Sequence, residues 1–247
     1  MKRWSTSMAY ALKNPLETFS RAVDMLRFGF LYLTYRGRPH REFYSEVMKM
    51  RTRRGARFAV GGLWEEVGAL QFDFLCGKGL KPRHRLLDIG CGSLRGGLRF
   101  IAYLDTENYC GIDINPDILE AGRQELKAAA LAHKKPVIRV NDNLNFDDFE
   151  GMRFDFILAL AVFTHMPPED IEICLKNIHK VMAPGALFFA TYYDDRAVKA
   201  SFAHLNFYYT FEALKDMGAA YGLRVEPVPD FMHPRGQKMI KMSSLIP

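Results

Sequence analysis

The sequence predicts an α/β fold, a doubly wound and mostly parallel seven-stranded sheet with an antiparallel last strand, preceded by a helical N-terminal extension. Three observations predict it. Short apolar segments alternate with amphipathic helical segments from Leu86 to Tyr221. A glycine-rich turn follows the first apolar segment. Two strand-like segments then close the chain, and the loop between them has no room for a crossover helix, so these strands must be antiparallel.

The elements follow one another in a regular order. The predicted strands are 86–89, 109–114, 137–140, 154–160, 186–193, 223–228 and 237–242. The predicted helices are 63–75, one beginning near Leu94, 116–133, 167–182 and 210–221. Because helical segments separate the first five strands, these strands are expected to be parallel, with helices on both faces of the sheet.

The first strand leads into a glycine-rich turn with the pattern Asp88-x-Gly90-x-Gly92-x-x-x-Gly96. Glycine at such a turn lets the backbone approach a ligand closely, because no Cβ stands between them. The N–H groups at the start of the helix near Leu94 would offer an anion site. The turn therefore indicates a nucleotide or nucleoside pocket; tight strand–turn–helix packing without a ligand is the alternative.

Polar residues follow the next two strands. Asp113 ends the second strand, 23 residues after Gly90, where a carboxylate can accept hydrogen bonds from ribose hydroxyls. Capping of the helix that begins at Pro116 is the alternative. The third strand is followed by Asn141-Asp142-Asn143, which is also typical of an ordinary loop. These positions support an adenosine-type ligand.

The glycine turn and three later segments resemble the class I S-adenosylmethionine (SAM) methyltransferases, a Rossmann-like family. The acid before the glycines and the long gap to Gly96 are similar to motif I of that family, whereas a dinucleotide fingerprint reads G-x-G-x-x-G. Residues 161–167 resemble the family's S-V-F-x-H-L segment, with Ala161 in place of serine, and residues 181–186 resemble its L-K-P-G-G turn, with Ala186 in place of the second glycine. The matches run in order from Leu86 to Tyr193, under half of the chain.

The resemblance implies that SAM is the cofactor and that S-adenosylhomocysteine (SAH) is its product. It places the adenine amine near Asp142 and the methionine ammonium near the backbone of Leu160. Arg95 could pair with the methionine carboxylate or could simply face solvent. The candidate cofactor-binding residues are Asp88, Gly90, Cys91, Gly92, Arg95, Asp113, Ile114, Asp142, Asn143 and Leu160.

Methyl transfer from a sulfonium is an in-line displacement, so the protein mainly supplies orientation and a dry site. A general base is needed only when the acceptor is a poorly acidic hydroxyl or a protonated amine. His165 is the candidate for that role by its position and its ordinary pKa, and packing beside Pro167 is the alternative. His204, Tyr208 and Tyr209 lie where the family builds its acceptor pocket, and they are the candidate substrate-binding residues unless they form core.

The charge is concentrated at the N-terminus. Residues 1–60 hold 13 Lys and Arg against 4 Asp and Glu, a net charge of +9, whereas the remainder has a net charge of −3. A helix is predicted from Pro15, capped by Asn14, and its second half is apolar nearly all round. We expect residues 1–60 to be a basic extension that acts as a lid, a membrane-surface contact or an oligomer contact, and residues 61–247 to be the methyltransferase domain.

The four cysteines are scattered without a C-x-x-C pair, which argues against a metal site and is typical of a reducing cytoplasm. No apolar run reaches the roughly 20 residues of a membrane span, and no signal peptide is expected. The predicted localisation is cytoplasmic, with peripheral contact at the inner membrane surface as a further option.

The predicted function is therefore methyl transfer from SAM to an O or N atom of a small molecule, sugar (glycan) or lipid head group. An RNA methyltransferase would use the basic extension against phosphates, but no RNA-binding module is recognisable, which argues against nucleic acid. A nicotinamide-dependent reductase would need a different glycine spacing. A non-catalytic scaffold of the same fold is the remaining alternative.

Overall fold

The computed structural model of the chain describes residues 15–245, apart from the side chains of residues 15–22 and 202. The predicted helix cap Asn14 and the rest of residues 1–14 lie outside the described residues. The helices are α1 (Pro15–Thr34), α2 (His40–Thr52), α3 (Ala56–Ala59), α4 (Trp64–Gly77), α5 (Gly97–Tyr103), α6 (Pro116–Ala128), α7 (Pro168–Ile178) and α8 (Phe211–Ala220).

One twisted sheet carries all the strands of the described residues. They are β1 (Leu86–Ile89), β2 (Tyr109–Asp113), β3 (Val137–Val140), β4 (Phe154–Ala159), β5 (Met182–Asp194), β6 (Lys199–Ala200), β7 (Phe207–Tyr209), β8 (Leu223–Val228) and β9 (Lys238–Ser244). The first five strands are parallel in the order β3-β2-β1-β4-β5. Strand β9 is antiparallel to both β5 and β8. The predicted doubly wound α/β fold is confirmed.

The structure adds two short strands to the seven that the sequence predicts. β6 and β7 pair with each other, and β7 runs beside the end of β5, where Tyr193 lies opposite Tyr208. Strands of two and three residues are too short for an alternating pattern to form, so the sequence signal is absent. Their position at the carboxyl end of β5 nevertheless brings this hairpin close to the site described below.

The central strands are buried on both faces. All four residues of β1 and all five of β2 are buried, which explains why their apolar residues do not alternate with exposed polar ones. One apolar cluster lies on the side of α7 and α8 and includes Phe163 and Phe188. The other lies on the side of α4 and α5 and includes Phe100 and Phe189. Helices therefore cover both faces, as a doubly wound sheet requires.

The helix after the glycine turn starts later than the sequence predicts. Leu94, the expected start, has a left-handed backbone with φ 66°, and the helix begins at Gly97. The turn continues through Gly96 because Leu94 closes it with a hydrogen bond from its N–H to the Cys91 carbonyl (3.0 Å). The helices predicted at 116–133 and 167–182 also end earlier, at Ala128 and Ile178.

Helices α1 to α3 precede the sheet and pack over its carboxyl edge. The sequence analysis did not identify α2, which contacts α6 through Met48 and Ile118. The Asn115 side chain donates to the Ser45 carbonyl of α2 (2.8 Å) and also caps α6. The predicted boundary at residue 61 falls in the loop between α3 and α4. Within the described residues, no helix is both long and apolar enough to cross a bilayer.

Candidate active site

A cavity of about 390 Å³ lies at the carboxyl ends of β1 to β5. Its floor is formed by the residues that follow each strand. These are Gly90 and Gly92 after β1, Asp113 and Ile114 at the end of β2, Asn141 and Asp142 after β3, Leu160 and Ala161 after β4, and Tyr193 of β5. Its roof comes from α2, from the segment around Val60 and from the β8–β9 loop.

The glycine turn has no room for side chains. Gly90 and Gly92 have φ angles of 71° and 55°, in the left-handed region. A Cβ on Gly90 would lie 2.5 Å from a methyl group of Val162, and one on Gly92 would lie 2.6 Å from a methyl group of Val60. Val60 and Val162 themselves line the cavity, so glycine at these two positions allows the turn to pack closely against the cavity walls.

Asp113 joins the second strand to the glycine turn. Its carboxylate accepts hydrogen bonds from the N–H groups of Gly92 and Asn115, both at 3.0 Å. Burial raises the pKa of Asp113 to about 6, although these backbone N–H groups favour the charged form. Each oxygen keeps a further lone pair for a ligand hydroxyl. The Gly92 N–H therefore binds this carboxylate and is not free for a ligand.

The other predicted cofactor-binding residues fall into two groups. Ile114, Leu160, Arg95 and the exposed Asp142 line the cavity. Three others lie beside it without lining it, and each has a different environment. The Tyr109 hydroxyl donates to buried Asp88 (2.8 Å), Cys91 packs against Gly111, and exposed Asn143 accepts from the Asn145 N–H (3.1 Å).

Arg95 and nearby Arg235 make one end of the cavity positively charged. The Arg95 guanidinium donates to the carbonyls of Val60 (2.7 Å) and Gly62 (3.0 Å), but its buried Nε has no partner among the described residues. Burial and nearby Arg235 lower the pKa of Arg95 to about 10, which keeps it charged at neutral pH. The buried Oε1 of Gln237 also has no partner there. An anionic group beside Arg95 would satisfy the free donor.

His165 faces the cavity as a neutral ring. Its Nδ1 lies 2.7 Å from the Leu205 carbonyl, and a carbonyl oxygen only accepts, so the proton is on Nδ1 and Nε2 is the acceptor. Burial lowers the pKa of His165 to about 4, and this outweighs the hydrogen bond to Leu205. The ring is therefore neutral at physiological pH, with its one proton on Nδ1.

Helix α2 contributes a row of side chains to the roof, spaced by three or four residues. His40, Tyr44, Met48 and Arg51 line the cavity. The Tyr44 ring stacks on His165 with the centroids 4.9 Å apart, and burial raises the pKa of Tyr44 well above its usual range. The spacing of three or four residues is present in the sequence and is typical of one face of a helix. That this face lines a cavity follows only from the position of α2 over the sheet.

The predicted substrate-binding residues lie just behind the cavity wall. The His204 ring stacks on Tyr32 (4.6 Å) and the Tyr208 ring on Tyr193 (5.4 Å). Tyr209 is fully buried and donates to the Met166 carbonyl. Two nearby residues, Tyr193 and Asn206, line the cavity, whereas the three predicted residues do not. His233, Arg235 and Gln237 of the β8–β9 loop also line it, and no motif in the sequence pointed to them.

The residues present fit SAM. Gly90 and Gly92 of the turn line the cavity, Asp113 and Asp142 offer acceptors for hydroxyl and amine donors, and Arg95 offers an unused donor for a carboxylate. Within residues 15–245, no group of three or more His, Cys, Asp or Glu side chains could hold a metal ion.

The fold is of the doubly wound class, in which ligands typically bind at the switch point of the sheet, here between β1 and β4. Comparison with known families specifies it further. Residues 87–188 match the profile of a methyltransferase domain. The match covers 102 of the 247 residues and shows that this part of the chain is similar to methyltransferase domains.

Two relatives are similar to part of the chain. A probable fatty acid methyltransferase of Pseudomonas putida is 31% identical over 120 residues, which cover 47% of this chain and 29% of that protein. A 24-methylenesterol C-methyltransferase of Oryza sativa subsp. japonica is 32% identical over 108 residues, 44% of this chain and 28% of that protein. The chain thus spans less than a third of the length of these two relatives.

Solved structures share the fold. The magnesium protoporphyrin IX methyltransferase of Synechocystis PCC 6803 with bound SAH superposes with a TM-score of 0.59 at 13% identity, covering 82% of this chain and 96% of that one. A glycopeptide N-methyltransferase in complex with SAH superposes with a TM-score of 0.57 at 11% identity, covering 72% and 90%. At these identities the likeness shows the fold alone.

Proposed function

We propose that the chain transfers the methyl group of SAM to an O or N atom of a small molecule, sugar or lipid head group. One observation carries the proposal. A single cavity brings together the glycine turn, the acceptor carboxylate Asp113 and the neutral imidazole of His165. The first two suit the adenosine half of the cofactor, and the third suits an acceptor that loses a proton.

The cofactor half of the cavity is the part next to β1, β2 and β3. Asp113 would hold the ribose hydroxyls, Asp142 the adenine amine and Arg95 the methionine carboxylate. When bound, SAM supplies an electrophilic methyl group on a sulfonium. The chain's own residues bind and orient the cofactor, and the apolar floor at Ile89, Ile112 and Leu160 keeps water away.

The acceptor half lies at the ends of β4 and β5. There His165 Nε2 would take the proton that an acceptor hydroxyl or amine releases on methylation, and the Leu205 carbonyl would stabilise the protonated ring through Nδ1–H. Tyr44 holds the imidazole plane by stacking. Tyr193 and Asn206 supply further polar groups for the acceptor.

Helices α2 and α3 would act as the lid of this site. Their inward side chains complete the roof, and α2 is fixed to the domain at two points by the Arg41–Asp170 ion pair (3.0 Å) and the Asn115–Ser45 hydrogen bond. A lid of this kind excludes water and has to open for exchange of cofactor and product.

Two further observations bear on the acceptor and the compartment. Relatives in the comparison are named as fatty acid and sterol methyltransferases, which favours a lipid or another amphipathic molecule among the acceptors. The four cysteines are free thiols, which supports the reducing cytoplasm as the place of action.

The test is methyl transfer from tritiated SAM into fractionated cell extracts. Wild-type protein should label one small-molecule or lipid fraction, and His165→Gln should lose most of the labelling while retaining SAM binding. His133→Gln, at an exposed histidine outside the cavity, is the matched control and should behave as wild type. The proposal fails if no fraction is labelled although the protein binds SAM, or if all the label enters RNA.

A further inference from the structure

Helix α1 is apolar on two opposite sides. Its inner side packs on the protein through half-buried Phe28, Leu31 and Tyr32. On its outer side, Leu26, Phe30 and Leu33 are 75%, 74% and 64% exposed. At about 100° per residue, these three lie within about 60° of one another and opposite the inner side. Packing against the protein therefore does not explain them, and we call these three residues the outer stripe.

An exposed stripe of this size on a helix indicates a surface that another phase or molecule covers. A helix that supplies its own inner contacts has no folding requirement for large apolar residues on the opposite side. Met25, 54% exposed, widens the stripe. The charges around the outer stripe then indicate what covers it.

The charges near the outer stripe are positive. Arg27, Arg36 and Arg53 are exposed, and none has an ion-pair partner within the described part of the chain. Among the described side chains of this region, the acidic residues Asp24, Glu42 and Glu46 each pair with a nearby Arg or Lys. An apolar stripe flanked by unpaired arginines matches the boundary between acyl chains and anionic head groups.

A second copy of this chain fits the surface less well. A two-fold contact through the outer stripe would place each arginine near its own symmetry mate or another arginine. Like charges in such a contact repel, whereas anionic lipid attracts them. Charge complementarity therefore selects the bilayer.

The inner side of α1 connects this surface to the cavity. The Arg51 guanidinium lies 5.6 Å from the centre of the Phe28 ring and lines the cavity. Tyr32 stacks on His204, whose carbonyl accepts a hydrogen bond from the cavity residue His40 (2.8 Å). One layer of side chains thus separates α1 from the roof of the site.

We propose that α1 binds the surface of an anionic lipid bilayer, with the outer stripe inserted among the acyl chains near the head groups and Arg27, Arg36 and Arg53 directed toward phosphate. The bilayer then lies beside the roof of the cavity, from which an amphipathic acceptor could be supplied. Membrane binding by α1 does not depend on methyl transfer, so the two proposals stand or fall separately.

The experiment is co-sedimentation of the full chain with vesicles of phosphatidylglycerol mixed with phosphatidylcholine, and with vesicles of phosphatidylcholine alone. Wild type should bind only the anionic vesicles, and added salt should weaken the binding. Phe30→Ser should weaken it roughly tenfold or more. Met232→Ser is the matched control, because Met232 is 78% exposed but lies in the β8–β9 loop.

A second set of variants in the same experiment tests the three arginines. Arg27→Gln, Arg36→Gln and Arg53→Gln should each weaken binding to anionic vesicles by roughly fivefold. Arg83→Gln is the control, since Arg83 is exposed at the opposite edge of the sheet, before β1. All variants should bind SAM as wild type does, which also shows that they fold.

Two results would overturn the inference. Wild type that binds SAM but sediments with neither vesicle, or that binds both equally and independently of the outer stripe, excludes α1 as a bilayer contact. Wild type that is a dimer by ultracentrifugation, and that Phe30→Ser converts to a monomer, assigns the outer stripe to contact between two copies. Vesicle binding without SAM binding would instead contradict the proposed function and leave this inference intact.

Discussion

Asp113 uses one carboxylate for two tasks. It fixes the glycine turn by accepting the Gly92 N–H, and it presents its remaining lone pairs to the cavity. A buried carboxylate accepts more strongly when it is ionised, and burial raises the pKa of Asp113 to about 6. Ligand binding at this residue should therefore depend on pH in a range that is easy to measure.

We predict that the affinity for SAH falls as the pH drops below about 6. If the charged form of Asp113 holds the ribose hydroxyls as proposed, the affinity is complete above this pKa and decreases by up to tenfold per pH unit below it. Calorimetry between pH 5 and 7 measures it. Asp113→Asn should bind more weakly by about 1.5–3 kcal/mol and show a flat profile, whereas Asp117→Asn on α6 should resemble wild type. A pH-dependent Asp113→Asn variant would assign the titration to another group.

The second prediction concerns the protonation of His165. Burial lowers its pKa to about 4, and the Leu205 carbonyl requires the proton on Nδ1. Nitrogen-15 NMR at pH 6 should show a neutral ring in the Nδ1–H form. A His165 ring that is half protonated near pH 6.5 would contradict both the burial and the proposed proton acceptor.

The sequence predicted those cavity residues that lie close along the chain to the strands that position them. A glycine turn and an acid at a strand end are close in sequence to the strands that position them, so motif spacing places Gly90, Gly92 and Asp113. Tyr44 and Gln237 are different, because they line the cavity only after α2 and the β8–β9 loop have folded over the sheet. Nothing near them in the sequence specifies that contact.

At the scale of elements, an ion pair helps to hold α2 over the cavity. Arg41 pairs with Asp170, whose side chain is only 7% exposed. Burial raises the pKa of Asp170, and nearby Arg41 counteracts this. Removing Arg41 would leave a buried carboxyl group without its partner.

We predict that Arg41→Met destabilises the fold by about 1–3 kcal/mol and accelerates SAH release, because α2 is held less firmly over the cavity. Thermal unfolding and stopped-flow displacement measure the two effects. Arg38→Met is the matched control, since the Arg38–Glu42 pair of the same region is exposed and should contribute less than about 1 kcal/mol. If Arg41→Met left release unchanged, α2 would not limit exchange.

The elements that the sequence analysis missed share a physical cause. Strand β7 pairs with β6 and with the end of β5. These strands therefore depend on tertiary contacts, which a local sequence pattern does not contain. The start of α5 is displaced because Leu94 adopts a left-handed backbone inside the turn, and single residues of this kind do not show in a periodic pattern. The long buried strands and the closing antiparallel pair were predicted because their apolar runs and short loop are local signals.

At the scale of the whole molecule, topology and charge select the same cofactor. Strand β9 runs antiparallel between β5 and β8, as in the methyltransferase version of the doubly wound sheet. Asp113 lines the cavity as the proposed acceptor for the ribose hydroxyls, and its negative charge would repel the 2′-phosphate of NADP.

The last prediction is that SAM and SAH, but not NADP, stabilise the whole chain. A ligand at 100 times its Kd raises the free energy of unfolding by about 2.7 kcal/mol, which for a chain of this size raises Tm by roughly 5–10 °C. Thermal unfolding with equal concentrations of SAM, SAH and NADP tests this directly. Gly90→Ala is an informative variant, because its Cβ would meet Val162, and it should lose most of the shift given by SAM. A Tm that rises with NADP and not with SAM would mean that the cavity holds a dinucleotide, because ligand stabilisation reports the occupant of the site whatever the acceptor is.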